Sequence, residues 1–368
     1  MKSNAYHIIA LALSMTCATT FANNNDTTEQ FNQAYKRYQL AVTENQIGNK
    51  VKYAKQAYLL GQQIYGEQSL NTANLALNYA LALPEVKSQF SDKPLLQEKY
   101  ALYTTILPIY TTQYGEQGLE LIDIYIGLAK STQSASESAA LFEKALSLIP
   151  NKSKLLADNY FEASMHLFNH FPSNKYQKAR TYAYKADEIY QQILPENTFE
   201  RAKSNYLIGM IAQGMRKKNE AIKRFNEVVD VFDKHLDFDH PFELAAHSRL
   251  IGLYENKGES EEATKHCLAI AKMVPWKEQQ EQTPLHRVNP NYPKSMARRG
   301  KEGFAQLEFD ITPSGFVENI KVLDATAQSF ADESIKVLKK WRYAPKFENG
   351  LAVKATATVQ MDFKLSLG

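Results

Sequence analysis

Residues 353–365 read VKATATVQMDFKL, and this stretch decides the fold of the carboxyl-terminal part of the chain. Every odd-numbered position is apolar and every even-numbered position is polar. Because successive side chains of a β-strand point to opposite faces, this alternation predicts one long strand with a buried face and an exposed face. Near a chain end, such a strand can form the edge of a sheet, where its free backbone groups can pair with another extended peptide.

Two shorter patterns precede this strand. Residues 305–311 also alternate between apolar and polar positions, and residues 316–323 follow after the turn signal TPSG at 312–315. From Phe330 to Trp341, apolar residues recur at the spacing of one helix face. The order strand, strand, helix, strand predicts a small α+β domain in which the helix covers the apolar face of a three-stranded antiparallel sheet.

A much longer region comes first, from about residue 28 to residue 273, and it is rich in helix-forming residues at helical spacing. Two segments recur within it: YGEQSL at 65–70 returns as YGEQGL at 114–119, and YLIG at 206–209 returns as RLIG at 249–252. A single helix pair hides only part of its apolar surface, so neighbouring pairs must stack. The region is predicted to be an all-α solenoid, and it resembles the tetratricopeptide family with lengthened repeats.

The first 22 residues have the layout of a secretory signal. Lys2 precedes an apolar run that ends near Ala18, and Ala22 stands at the expected cleavage position. The run is short for a membrane span and is interrupted by Ser and Thr. We therefore expect cleavage, with an uncleaved inner-membrane anchor as the alternative. Cleavage leaves Cys267 as the only cysteine and excludes an internal disulfide.

A length of 368 residues predicts more than one domain. We divide the chain into the signal peptide at 1–22, a helical repeat domain at 23–273, a polar linker at 274–283 and the α+β domain at 284–368. The formal net charge of +3 argues against a dedicated nucleic-acid-binding protein. Residues 284–368 are mildly basic, with 13 Lys and Arg against 9 Asp and Glu.

Many ordered positions of the α+β domain carry a family resemblance. They are Pro284, Arg287, Pro290, Tyr292, Pro293, Ala297, Gly300, Glu302, Gly303, Phe309, Ile311, Gly315, Val317, Trp341, Arg342, Tyr343, Pro345, Gly350 and Val353. In order and spacing they resemble the C-terminal domain of TonB-family proteins, over less than a quarter of the chain. The resemblance implies a periplasmic domain that binds outer-membrane transporters for iron chelates (siderophores), cobalamin or similar nutrients. In that family a short extended segment of the transporter, the TonB box, adds as a strand beside the last strand.

Carried onto this sequence, the resemblance places the augmentation edge at Val353–Phe363 and a second contact segment at Arg287–Tyr292. The partner-binding residues that it implies are Arg287, Asn289, Pro290, Tyr292, Val353, Ala355, Ala357, Val359, Met361 and Phe363. Asn289 departs from the family, which often has Gln at this position. Because Asn is one methylene shorter, the contact made there is expected to differ.

Residues with catalytic or metal-binding potential are sparse. His166 and His170 lie one helical turn apart, but they lack the intervening Glu of the zinc-protease motif and a third ligand. A polar group before Pro241 comprises Asp233, His235, Asp237, Asp239 and His240. Its position predicts a loop between repeats. Because Cys267 has no convincing His-and-carboxylate arrangement nearby and the sequence has no phosphate-binding Gly loop, we expect no catalytic residue, no metal and no cofactor, and hence not an enzyme.

Two functions from different classes remain open. The first is a TonB-like component of energy transduction that binds TonB boxes. The second is an exported helical-repeat scaffold that assembles envelope proteins, with the repeats binding other proteins. TonB proteins driven by ExbB–ExbD need an inner-membrane helix and a Pro-rich stalk, whereas the 13 prolines here form no stalk. We therefore expect the protein to act in the periplasm beside a membrane-anchored ExbB–ExbD–TonB complex.

Overall fold

The structure is a computed structural model that describes residues 24–85, 92–171, 176–235, 240–274, 276 and 282–365. This part of the chain begins with helices α1 (Asn24–Thr43), α2 (Ile47–Tyr65), α3 (Leu70–Ala82), α4 (Lys93–Tyr114), α5 (Leu121–Ser131), α6 (Ala135–Ser147), α7 (Lys154–His170), α8 (Tyr176–Ile193), α9 (Phe199–Gly214), α10 (Lys218–His235), α11 (Pro241–Glu255) and α12 (Ser260–Met273). Among the described residues, no helix has the length and apolar character needed to cross a membrane. The predicted signal at 1–22 and most of the predicted linker at 274–283 lie outside the described residues.

The first compact unit, residues 1–189, contains α1 to α7 and most of α8. Each helix from α1 to α6 packs on the helix that follows it. The repeated YGEQ segments lie at equivalent places, because Gly66 follows the end of α2 and Gly115 follows the end of α4, with φ of 80° and 77°. Gly adopts positive φ without strain and so ends both helices in the same way. The repetition in the sequence therefore corresponds to two equivalent helix pairs, α2–α3 and α4–α5.

The second compact unit, residues 190–368, begins with the helix pairs α9–α10 and α11–α12. α10 packs on both α9 and α11, and α9 also contacts α11. Gly209 of α9 faces the ring of Phe225 of α10, and a Cβ at position 209 would lie only 2.8 Å from that ring. Small residues thus let the helix axes approach closely enough for interlocking side chains. The prediction of an all-α region of tetratricopeptide-like helix pairs is confirmed.

The remainder of the second unit is the small α+β domain. Its elements are α13 (Lys294–Arg298), β1 (Gly303–Ile311), β2 (Val317–Ala325), α14 (Gln328–Leu338), β3 (Lys346–Glu348), β4 (Leu351–Val353) and β5 (Ala355–Phe363). The three-stranded antiparallel sheet has the order β2-β1-β5, and β3 pairs with β4 separately. The apolar faces of β1 and β5 pack against Phe330 and Leu338 of α14 and against Trp341. The predicted order of three sheet strands and one covering helix is confirmed.

Gly315 fixes the turn between β1 and β2. Its φ is +79°, and its carbonyl accepts a hydrogen bond from the Tyr343 backbone N–H at 2.9 Å. A Cβ at position 315 would collide with the carbonyl oxygen of Tyr343. Because both the positive φ and the close backbone approach exclude a side chain, this position requires Gly.

The alternating stretch at 353–365 differs from its prediction. It is divided between β4, which ends at Val353 and pairs with β3, and β5, which runs from Ala355 to Phe363 and stops short of Leu365. Lys354 lies between the two strands, with its ammonium 3.2 Å from a carboxylate oxygen of Asp310. The period-2 pattern does not mark this break, because the chain can change its pairing partner while the order of buried and exposed side chains continues.

Arg342 connects the α+β domain to the helices of the same unit. It is buried, with 1% of its surface exposed, and its guanidinium forms an ion pair with Glu255 of α11. It also donates to Thr264 Oγ1 of α12 at 2.7 Å and to the Ser314 carbonyl at 2.8 Å, and it lies 3.7 Å from the ring centroid of Phe316. A buried guanidinium is stable only when its charge and its N–H groups are paired. These contacts pair the charge and the two terminal nitrogens, whereas the buried Nε–H has no hydrogen-bond partner among the described residues.

We expect Glu255→Gln to lower the free energy of unfolding by about 3 kcal/mol, because Arg342 would then be buried without its counter-charge. Urea unfolding followed by tryptophan fluorescence measures the change, since both tryptophans lie in the second unit. The matched control is Glu259→Gln, which removes an exposed pair with Lys257 and should cost no more than about 0.5 kcal/mol. Equal effects of the two substitutions would contradict the role given to Arg342.

Candidate partner-binding edge of the sheet

β5 forms one edge of the three-stranded sheet. It pairs with β1 in continuous register, from Ala355 opposite Ile311 to Phe363 opposite Gly303, and no other described strand pairs with it. In an antiparallel pair, alternate residues direct their N–H and C=O groups towards the neighbouring strand. The other residues of β5 direct these groups away from β1. β5 therefore offers a regular row of backbone donors and acceptors along nine residues.

The opposite edge, β2, is irregular. Two register shifts interrupt its pairing with β1, and Asn319 within β2 has a φ of 51°. Lys321 is exposed on this strand and pairs with Glu308 of β1 at 3.1 Å. Bulges and edge lysines are features that hinder the pairing of an edge strand with another chain. The two edges therefore differ, and β5 is the one suited to strand addition.

The partner-binding residues predicted on this edge have inward side chains. Those of β5 that are buried in the core are Ala357, Val359, Met361 and Phe363. Ala355 is half-buried, and Val353 belongs to β4, where it pairs with Lys346. A peptide added along β5 would consequently meet the backbone of these residues more than their side chains.

The side chains on the outer face of β5 are missing from the predicted set. They are Thr356, Thr358, Gln360 and Asp362, and all four are exposed. The alternating sequence indicates these side chains, because they occupy its even-numbered, polar positions. At the start of β5, Thr356 Oγ1 donates to Asp310 at 2.9 Å, and Asn319 Nδ2 donates to the same carboxylate at 2.8 Å. These hydrogen bonds, together with Lys354, hold the pKa of Asp310 below its ordinary value.

The predicted contact segment, residues 287–292, is held by Trp341. The indole Nε1–H of Trp341 donates to the Val288 carbonyl at 2.8 Å, and the Arg287 guanidinium lies 5.0 Å from the indole ring centroid. This geometry is a cation–π contact. Asn289 is exposed and Pro290 is half-buried on the same segment. One buried aromatic residue therefore positions a segment with exposed polar side chains.

Tyr292 links this segment to the end of β5. Its ring meets the rings of Phe363 and Phe330 edge to face, with centroids 5.8 Å and 5.9 Å away, and its hydroxyl donates to the Lys301 carbonyl at 2.9 Å. Two residues that were predicted from separate parts of the sequence, Tyr292 and Phe363, are thus in contact. The half-buried Tyr292 ring provides an aromatic surface beside the strand end.

A three-stranded antiparallel sheet, covered by one helix and with one regular open edge, defines a small α+β domain of the kind that can accept an extended peptide by strand addition. Residues 288–365 match the family model described as the Gram-negative bacterial TonB protein C-terminal. This part of the chain matches the TonB C-terminal family, and the resemblance seen in the sequence is confirmed.

Curated relatives match the same part of the chain. The TonB protein of Pseudomonas aeruginosa is 32% identical over 83 residues, which cover 22% of this chain and 24% of that protein. The chain spans between 24% and 32% of the length of the curated TonB proteins that it matches. The solution structure of the P. aeruginosa TonB C-terminal domain is 31% identical and covers 24% of this chain and 91% of that chain, with a TM-score of 0.22.

The helical region is similar to the tetratricopeptide-like repeats of a kinesin light chain from Podosopora anserina. The two share 16% identity over 56% of this chain and 95% of that chain, with a TM-score of 0.44.

The residues that were weighed as catalytic candidates are placed as follows. His166 packs among Phe142, Phe171 and His170, with ring centroids 5.6, 5.9 and 4.6 Å away. Cys267 is fully buried, and burial raises the pKa of its thiol to about 11, so that the reactive thiolate is suppressed at neutral pH. Asp237 and Asp239 lie outside the described residues.

His166 predicts an acid sensitivity of the first unit. Burial, with smaller effects of His170 and Lys130, lowers its pKa to about 3, and its Nε2 is buried without a hydrogen-bond partner in the described part of the chain. The unfolded chain takes up a proton below about pH 6.5 that the folded chain resists, so stability is complete above that pH and declines towards pH 3. At pH 5 we expect His166 to account for a loss of up to about 2 kcal/mol.

His166→Phe should remove this part of the loss, which urea unfolding at pH 7.5 and pH 5, followed by circular dichroism, would measure. His170→Phe is the control on the same helix, and we expect it to remove less. The role of His166 would be refuted by a His166→Phe chain that loses as much stability at pH 5 as the wild type.

Proposed function

We propose that this is a periplasmic protein whose TonB C-terminal domain binds the TonB boxes of outer-membrane TonB-dependent transporters, and that it thereby supports energy-coupled uptake of nutrients such as iron chelates. The observation that carries the proposal is the β5 edge, which keeps unbroken register with β1 over nine residues and has no described strand beyond it. An ExbB–ExbD–TonB complex is the proposed source of the energy.

The energetics of strand addition suit a reversible coupler. A peptide of about six residues gains a few backbone hydrogen bonds, each contributing about 0.5–1.5 kcal/mol. The peptide must lose conformational freedom to make them. The balance favours affinities on the order of micromolar, or about −8 kcal/mol. Such a complex forms and dissociates readily.

Side chains flanking the edge supply selectivity. Alternate residues of an added strand would face opposite sides of the sheet. On the outer side they would lie beside polar residues such as Thr358 and Gln360, which are exposed. On the helix side, at the end of β5, they would approach the aromatic pair Tyr292 and Phe363. We propose that the backbone of β5 supplies affinity and that these neighbours select the peptide.

Site-specific disulfide formation tests this proposal in the full-length chain. A TonB-box peptide carrying one Cys, activated as a mixed disulfide that releases thiopyridone on exchange, would be offered to chains with Thr358→Cys on β5 or Leu323→Cys on β2, both in a Cys17→Ser background. Thr358 and Leu323 are exposed, whereas Cys267 is buried and its raised thiol pKa keeps it unreactive. We expect rapid disulfide formation at position 358 and little at position 323.

The matched peptide control has Pro at its central position, which removes a backbone N–H needed for pairing. It should fail to form the disulfide at position 358. Equal labelling of β5 and β2, or equal labelling by the two peptides, would show that the peptide does not add as a strand beside β5.

A groove in the first unit favours a second candidate function, that of a scaffold for envelope proteins. Its cavity volume is about 240 Å³, and its walls include Tyr160, Tyr182 and Lys185. The Lys185 ammonium lies 5.2 Å from the Tyr160 ring centroid, and the two Tyr rings are 5.6 Å apart. Tyr side chains combine apolar area with a hydrogen-bonding group, as protein-binding surfaces often do. If the repeats alone bound partners, TonB-box peptides would leave β5 unlabelled.

A further inference from the structure

Three side chains that can bind a metal ion meet between α10 and α11. Asp233 lies near the end of α10, and Glu243 and His247 lie one helical turn apart on α11. One ligand atom from each side chain lies within 4.8 Å of the other two. Glu243 and His247 are buried, with 7% and 3% of their surfaces exposed, whereas Asp233 is exposed. The group is therefore closed on the protein side and open to solvent at Asp233.

The buried imidazole of His247 lacks one partner. Its Nδ1 lies 2.8 Å from Nδ1 of His266 on α12, whereas its Nε2 is buried and has no hydrogen-bond partner among the described residues. A buried polar atom without a partner destabilises the folded state. The nitrogen of His247 that can bind a ligand is therefore Nε2, and Glu243 lies on the same helix.

The contact between the two imidazoles limits which ring nitrogens can carry a proton. A 2.8 Å contact between the two Nδ1 atoms requires one of them to donate and the other to accept. If His247 donates, its Nε2 carries a lone pair that can bind a metal ion. If His266 donates, the Nε2–H of His247 needs an acceptor, and none is found among the described residues.

We propose that Asp233, Glu243 and His247 bind one divalent transition-metal ion of the Zn²⁺ class, with His266 as the residue that orients His247. Two carboxylates and one neutral imidazole balance the charge of a dication, and imidazole nitrogen favours Zn²⁺ and its neighbours over Mg²⁺ and Ca²⁺. A ligating His commonly donates its other ring N–H to a neighbour, as His247 would to His266.

The ion would link α10 and α11 directly, and it would involve α12 through the contact between His247 and His266. Asp233 lies on α10, Glu243 and His247 on α11, and His266 on α12. The latter two helices also carry the side chains that hold Arg342, since Glu255 is the last residue of α11 and Thr264 lies two residues before His266. Because an ion that binds only the folded state stabilises it, the site would strengthen the helices that support the TonB C-terminal domain.

The test uses the full-length chain, freed of metal by a chelator and titrated with Zn²⁺ in competition with a coloured zinc indicator. We expect one Zn²⁺ per chain, a rise in the unfolding temperature on binding, and no comparable effect of Mg²⁺ or Ca²⁺. Asp233→Asn and His247→Gln should each weaken binding more than about 100-fold, and His266→Phe about 10- to 100-fold. Co²⁺ in place of Zn²⁺ should give a visible absorption band that Asp233→Asn abolishes.

Asp233→Asn changes an exposed side chain and should leave the fold intact, so its loss of binding cannot be attributed to unfolding. The matched control is His170→Ala, which disrupts the other pair of histidines one turn apart and should leave Zn²⁺ binding unchanged. The proposal is overturned if Asp233→Asn and His247→Gln bind Zn²⁺ as the wild type does, if His170→Ala removes binding, or if Mg²⁺ or Ca²⁺ binds more tightly than Zn²⁺.

Discussion

The buried ion pair between Arg342 and Glu255 is the contact on which the second unit depends. The backbone of Arg342 bridges to the segment before β1, since its carbonyl accepts from Leu285 and its N–H donates to the His286 carbonyl at 3.1 Å. Its side chain bonds to α11 and α12. A guanidinium without these partners would carry a large desolvation penalty. If the TonB C-terminal domain separated from the helices, the Arg342 guanidinium would therefore lose the counter-charge of Glu255.

The residues on either side of Arg342 extend this role. Trp341 holds the Val288 carbonyl, and the Tyr343 N–H bonds to Gly315 in the turn between β1 and β2. Three consecutive residues thus fix the contact segment, the helices and the turn of the sheet. A motif of aromatic and cationic residues that suggests a binding surface in the sequence is buried in the structure. In the proposed complex its contribution would be indirect, because it positions the segment that carries Asn289.

Local periodicity allowed the strands, the covering helix and the helix pairs to be predicted, because each pattern reports which face of one element is buried. It could not reveal the break at Lys354, where the order of faces continues while the pairing partner changes. It also could not reveal Arg342–Glu255 or the group of Asp233, Glu243 and His247. Those contacts join separate parts of the fold, namely Arg342 with α11 and Asp233 of α10 with two residues of α11. A single sequence contains no signal for which of many charged side chains will meet.

The alternation of buried and exposed side chains along β5 limits which residues can select a partner there. Val359 and Met361 are buried against the helix side, so substitutions at these positions act on the fold before they act on a partner. The backbone edge is available to any extended chain, because its hydrogen bonds do not depend on side-chain identity. In the proposed complex, discrimination would consequently arise from neighbours that the core does not use, namely the exposed Thr358 and Gln360 and the half-buried Tyr292. Evolution can change these residues without disturbing the register of β5 with β1.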